Sequence, residues 1–340
     1  MRAYRKPAAG LALLLALATA GCSAQDGTTD AAPATPSGSP TAPSGSPAPA
    51  TAYAPYVSAT TAAATDSAGS PATYNLAFVI SSGDDCTPRW NGVQDIGDTS
   101  VASRIAKLKE SGPTVRVSFG GASGKELAAA CASASELAAA YGEALDAAGS
   151  TRADFDIEGD ELTDADSVAL RSEAIALLQE DRSDLEVSFT LPVMPSGLDS
   201  DGLALLASAN DHGVQVSTVN LMTMNYGESY DADMGDYALA SAKAAHAQLT
   251  QVFGTSDADA WRGMALTSML GVNDVAGETF TLADAAEVRA FAQEKGIAWV
   301  SIWATFRDRP CADDASADDA LTDCSGVEQE SGAFAEAFAG

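Results

Sequence analysis

The sequence predicts an α/β fold: a single domain built as a closed (β/α)8 barrel. Eight apolar, strand-like runs alternate with Ala-rich helical stretches over 53–340, the pattern of βα units and a parallel sheet. Their count and length suit a closed barrel better than an open doubly wound sheet. No G-x-G-x-x-G or P-loop follows the early strands, so nothing supports a nucleotide-binding sheet.

In order, the strands are read at 53–59, 74–81, 114–121, 153–159, 185–193, 217–227, 261–270 and 297–306. Helical patterns fall at 99–111, 133–149, 166–181 and 281–296, the last opening on Thr281 as N-cap and stopping at Gly296. Ahead of the barrel, "MRAYRKPAAGLALLLALATAGCSA" joins a basic start to a short apolar run, a secretory signal (1–22) rather than a membrane span. Gly21-Cys22 resembles the end of a bacterial lipobox, with Thr19 where Leu is usual. Ala18-Thr19-Ala20 also fits a cleavage site that would release a soluble protein. Residues 23–52 are Pro, Ser, Thr, Ala and Gly without apolar periodicity and read as a flexible tether.

Cysteine arithmetic favours the lipid anchor. Of five cysteines, Cys86, Cys131, Cys311 and Cys324 lie in the body of the chain, and an exported protein can pair these four. That leaves Cys22, which lipidation would occupy. Four cysteines permit three connectivities; the expected one is Cys86–Cys131 with Cys311–Cys324, the second closing a short acidic loop. The expected location is the extracellular face of the cell membrane, with secretion as the alternative.

Acidic residues number 47 against 18 Lys and Arg, a formal charge of −29. Such a chain has no electrostatic footprint for nucleic acid or anionic headgroups, so membrane contact is expected only through Cys22 and the substrate is neutral or cationic. The domain is expected to act as a monomer. His212 and His246 are the only histidines, neither with a neighbour at ligand spacing, so no metal and no cofactor are expected. Ser118, in "SFGG", is not in a G-x-S-x-G elbow.

The candidate chemistry lies in "TRADFDIEGDEL", 151–162. On a strand, residues two apart share a face, so Asp154, Asp156 and Glu158 point one way while Phe155 and Ile157 point the other. Neighbours in that row sit roughly 6.6 Å apart along the strand. Three ionised groups there repel, and at least one has its pKa raised and holds a proton, the condition for a general acid near neutral pH. In so acidic a chain a chance D-x-D-x-E is not rare, and on a solvated face it means nothing. The barrel decides otherwise. Glu158 ends the fourth strand, where barrels place function, and Asp154 and Asp156 lie deeper inside, where unsatisfied carboxylates are destabilising. Gly120 and Gly121 end the third strand, Asn225 and Tyr226 the sixth, Asn273 and Asp274 follow the seventh, and Trp303 lies near the end of the eighth.

With these motifs placed, the chain resembles a family 18 glycoside hydrolase of the bacterial chitinase type. "SFGG" at 118–121 is similar to that family's S-x-G-G, "DFDIE" at 154–158 to its D-x-D-x-E core, and "NLMTMNYG" at 220–227 to its M-x-Y-D region. "SIWATFRDRPC" at 301–311 is a softer fourth match. The resemblance implies a TIM barrel and a retaining, substrate-assisted glycosidase that needs no cofactor, acting on chitin or chitooligosaccharides. It implies Glu158 as acid and base, Asp156 orienting the substrate's acetamido group, and Asp154 sharing a proton below it. It implies substrate contacts at Gly120, Met224, Asn225, Tyr226 and Trp303, the indole forming a floor beneath the sugar; Trp299 is taken as core. Where the family has Tyr-Asp after M-x, this chain has Met224-Asn225, followed by Tyr226. Thr151 replaces the Asp that opens the longer signature. Trp90 is either a wall of a sugar subsite or an ordinary loop residue. Alternatives are an endo-β-N-acetylglucosaminidase on N-glycans and a non-catalytic lectin on the same barrel; the presence of Glu158 argues against the lectin. A lipid-anchored solute-binding protein would leave the three carboxylates unexplained.

Overall fold

The computed structural model describes residues 50–340; the signal peptide, Cys22 and nearly all of the tether lie outside the described residues. Inside them, eight strand positions form one ring of parallel neighbours. β1 runs as Ala52–Tyr53 and Tyr56–Ser58, followed by β2 (Thr73–Ser82), β3 (Thr114–Gly120), β4 (Arg152–Asp156), β5 (Glu186–Pro192), β6 (Val216–Met222), β7 (Met264–Met269) and β8 (Trp299–Trp303). Each of β2 to β7 pairs in parallel with the next.

β1 closes the ring because it is broken. Pro55 has no N–H to give to a ladder, and the strand changes partner there. Its first half lies in register with β8 (Ala52↔Trp299) and its second half with β2 (Tyr56↔Asn75). The Pro55 carbonyl accepts from the Asn75 N–H at 2.9 Å. One segment thus joins both ends of the sheet.

Helices cover the outside. Thr99–Lys109, Ala134–Ala148, Ala165–Asp181 and Leu282–Lys295 fall within a residue or two of expectation, and Thr281 caps its helix with a capping box. Ser200–Asp211 and Met234–Phe253 add two crossovers, each opened by an Asp side chain that accepts from the first turn. Residues 59–72 after β1 make turns and no helix. The strand expected over 261–270 starts later, at Met264, because Ser256 caps a short helix, Asp257–Arg262, that takes Trp261 with it.

After β2 the chain folds back as Asp85–Trp90, antiparallel to it. Trp90 is fully buried there, its indole N–H donating to the Ile96 carbonyl at 3.2 Å, so it is core and walls no subsite. Both expected disulfides form: Cys86–Cys131 pins this hairpin to the segment after β3, and Cys311–Cys324 closes the acidic loop.

Between ring and helices, Phe119, Phe155, Phe189 and Tyr141 pack with centroids 4.8–5.7 Å apart. Beside them Glu126, 2% exposed, accepts from Tyr141 Oη at 2.6 Å, Arg171 Nη2 at 2.8 Å and the Ala128 N–H at 2.9 Å. Removing one partner of a buried pair strands the other charge. Arg171→Met is therefore expected to destabilise the protein by about 3–5 kcal/mol, read from the denaturant midpoint. Adding Glu126→Gln should recover part of that loss; an unchanged midpoint in the single variant would show the pair to be dispensable.

Candidate active site

The barrel interior is polar at mid-height. Asp154, fully buried, takes four hydroxyl donors: Tyr56 Oη at 2.8 Å and Ser118 Oγ at 2.6 Å on Oδ2, Ser188 Oγ and Thr190 Oγ1 at 2.8 Å on Oδ1. These come from β1, β3 and β5. Asn220 on β6 extends the network, donating to Thr190 at 2.9 Å and accepting from Thr267 on β7 at 2.9 Å. All the acceptor capacity of Asp154 is thereby used, and its position is fixed.

Two residues further along β4, Asp156 meets a different environment. It is 5% exposed, yet among the described residues no donor reaches its Oδ1; its carboxyl lies beside that of Glu158 in one pocket. Burial first, then the charges of Glu158 and Asp154, hold the Asp156 carboxyl well above the usual carboxylate range. Glu158, half-buried at the head of the short helix Gly159–Thr163, is raised to about 7, again mainly by burial; the interaction with Asp156 opposes the rise and the charge of Asp274 adds to it. The pair therefore keeps a proton near neutrality.

The strand period places these groups, and β3 lets them come close. Gly120 sits opposite Asp156 with φ +97°, and a Cβ there would lie 2.1 Å from the Asp156 carbonyl oxygen. The next N–H, of Gly121, donates to that carbonyl at 2.9 Å. The expected substrate contact at Gly120 is thus corrected: it does not line the pocket but gives β4 room. Gly120→Ala should destabilise by about 2 kcal/mol or more, since the αL penalty adds to the clash, and lose hydrolysis together with melting temperature. Unaltered melting would show that the backbone yields.

Asp156 and Glu158 open into a pocket lined also by Tyr56, Phe78, Met222, Met224, Asn225, Asp274 and Trp303. Trp303 stacks on Phe78 at 5.4 Å and meets Tyr56 edge-on at 5.8 Å. β6 ends at Met222, and Asn225 takes φ +55°, which breaks the two-residue period. Met224 and Asn225 consequently face the pocket, Asn225 donating to Asp274 Oδ2 at 3.2 Å. Tyr226 turns away: it is buried against Tyr230 and Tyr237, its hydroxyl accepting from Ser241 at 3.4 Å. The expected substrate contact at Tyr226 is corrected accordingly. Trp299 is core, as expected, under the guanidinium of Arg116 at 4.8 Å. Phe78, Tyr56 and Met222 enter the site without having been singled out. No local signal marks them, since each is an ordinary apolar or aromatic residue of a strand.

A parallel barrel whose C-terminal mouth carries a proton-holding carboxyl pair, a buried carboxylate beneath it and an indole wall defines the glycoside-hydrolase class of barrel. No protein-family model matches the chain. It is 33% identical over 277 residues to a probable bifunctional chitinase/lysozyme of Escherichia coli strain K12, matching 76% of this chain and 31% of that one. To endochitinase 11 of Metarhizium anisopliae it is 33% identical over 278 residues, 76% of this chain and 53% of the other. The chain thus spans about a third and about half of these curated relatives. The catalytic domain of a hyperthermophilic chitinase from Pyrococcus furiosus superposes with a TM-score of 0.75 at 28% identity, over 86% of this chain and 95% of that domain. A GH18 chitinase from Pseudoalteromonas aurantia, 14% identical with a TM-score of 0.57 over 75% of this chain and 94% of that one, shares the fold. These similarities, to named chitinases and to solved GH18 chitinase structures, support a chitinase-like family 18 glycoside hydrolase.

Proposed function

We propose that the domain hydrolyses β-1,4-linked N-acetylglucosamine in chitin or its oligosaccharides, with retention of configuration and with Glu158 as acid and base. One observation carries the reading: Asp156, whose buried Oδ1 has no donor among the described residues, lines the pocket beside Glu158. A stranded buried acceptor is costly, and the N–H of a substrate acetamido group is the donor that fits. With that N–H held by Asp156, the acetamido oxygen is turned towards the anomeric carbon. Glu158 gives its proton to the leaving glycosidic oxygen as the acetamido oxygen attacks, forming an oxazolinium ion; Glu158 then takes a proton from the water that opens it. Asp154, clamped by four hydroxyls, keeps Asp156 in place from below, and Trp303 offers an apolar face to the sugar.

The test is hydrolysis of chromogenic chitobiose and chitotriose glycosides, with the anomer of the first product read by NMR. β-anomer appearing first supports the mechanism; α-anomer first rules it out. Binding without cleavage would favour the lectin, and activity on N-glycans alone the endo-β-N-acetylglucosaminidase. The pH dependence is also set: the acid must be protonated, so kcat/KM should fall as pH rises through about 7. A basic limb below pH 5 would separate Glu158 from the proton donor.

The proposal extends to location. The four body cysteines pair among themselves, so neither disulfide needs Cys22, which supports Cys22 as the site of a lipid anchor.

A further inference from the structure

We infer that Arg116 is a positioning residue for the reaction: a cation built into the barrel interior that seats the negative charge of the carboxylate row at Asp154, so that the proton stays with Asp156 and Glu158 at the pocket end. This inference rests on the hydrolase reading above. Arg116 lies on β3 two residues before Ser118, so the two side chains share the inward face. Ser118 is the register partner of Asp154 and donates to it. Arg116 is therefore one step deeper, roughly 6.6 Å down the strand from that bond. A guanidinium buried at such depth is destabilising unless something compensates its charge. Its Nη1 donates to Asn75 Oδ1 at 2.6 Å, and the group lies over the Trp299 ring at 4.8 Å. Both partners are neutral, and neither answers a full charge.

Few charges surround it. Arg152, which opens β4, is already paired with Glu186, which opens β5, at 2.9 Å. Asp154 is bonded by four hydroxyls, and among the described residues no direct ion pair joins it to Arg116. The two act on each other through space. Burial pulls the Arg116 guanidinium down from its ordinary range; the charge of Asp154 is the strongest influence holding it up, with Arg152 opposing and Tyr56 and Glu186 adding. That attraction is mutual. With four O–H groups directed at its oxygens, Asp154 has no position left for a proton of its own, and the cation behind it offsets the charge it then carries. Asp156, two residues further along β4, instead meets burial and the like charges of Glu158 and Asp154. A row with its cation at the deep end keeps its charge deep and its proton where the substrate arrives.

The experiment records kcat/KM on a chromogenic chitobioside against pH for the full chain, Arg116→Met and Arg116→Lys. Activity is lost on the acid side when the row takes up a second proton, and removing a nearby cation makes carboxyl groups hold protons to higher pH. Arg116→Met should therefore move the acid limb upward by about one pH unit or more, the effect of unit charges roughly 7 Å apart in a partly polar interior. The alkaline limb, set by the more distant Glu158, should move the same way by less. Arg116→Lys keeps the charge and should hold the acid limb within about 0.3 unit of wild type. A rate lowered equally at every pH, with the limb unmoved, would reduce Arg116 to packing. A limb displaced as far by lysine would make shape rather than charge the cause; either result overturns the inference. Should Arg116→Met not fold, Asp154→Asn added to it removes the second charge: recovery of the fold upholds the pairing, and continued failure overturns it. A wild type that cleaves no chitin glycoside overturns the hydrolase reading, and the inference falls with it.

Discussion

Glu158→Gln is expected to lower kcat on chitobiose and chitotriose glycosides by on the order of 10²–10⁴, with oligosaccharide affinity kept. Glutamine matches glutamate in shape and can still hydrogen-bond the side chain of Asp156. It has no proton to give to the leaving oxygen and none to take from water, so both chemical steps lose their catalyst. The proposed ground-state contacts at Trp303, Met224 and Asp156 are untouched, and binding should show as a change in the fluorescence of Trp303. A variant keeping a tenth of wild-type kcat would move the acid elsewhere, and Asp274, on the same pocket, would be examined first.

Asp156→Ala is expected to be nearly as damaging for a different reason. On the proposed mechanism Asp156 has two tasks at once: its interaction with Glu158 favours the ionised form of that residue, and its unpartnered oxygen seats the acetamido N–H. Without the second, the internal nucleophile is no longer aimed, and kcat should fall by about 10² or more. Without the first, the influence that lowers the Glu158 pKa is gone, so Glu158 keeps its proton to higher pH and the basic limb should move upward. The two effects have opposite flavours: a slower enzyme with a later alkaline decline. A loss of rate with the limb unmoved would show that Asp156 orients substrate but does not tune the acid. A kcat within threefold of wild type would remove it from the mechanism.

The part of this site written in one strand was legible, because alternation on β4 is a local property. Asp154, Asp156 and Glu158 fall on one face wherever that strand lies, and "SFGG" marks where β3 must lack side chains. What the alternation could not carry across was a break in it. Asn225 in the left-handed region ends the period of β6, so Tyr226 turns away while Met224 and Asn225, expected alongside it, line the pocket. Residues whose role is defined by partners far along the chain were equally hidden. Tyr56 reaches Asp154 across 98 positions and Arg171 reaches Glu126 across 45, and nothing near either residue announces the partner. Trp90 was ambiguous for a related reason: a tryptophan beside a cysteine reads the same in a loop and in a hairpin, and only the fold-back on β2 buries it. The helices were read more easily where Ala-rich periodicity was strong; Ser200–Asp211, with its glycine and serines, was not singled out.

The broken first strand has a consequence for how the molecule meets its own kind. A sheet with open sides presents rows of unpaired N–H and C=O groups, a template on which another chain can lay a strand. By bonding to β8 with one half and β2 with the other, β1 leaves the barrel without such a side. The strand outermost in the sheet's order is then Gln94–Asp95, two residues long and carrying a carboxylate. Joined to a surface of strongly like charge, this leaves little on which copies could grow into a shared sheet.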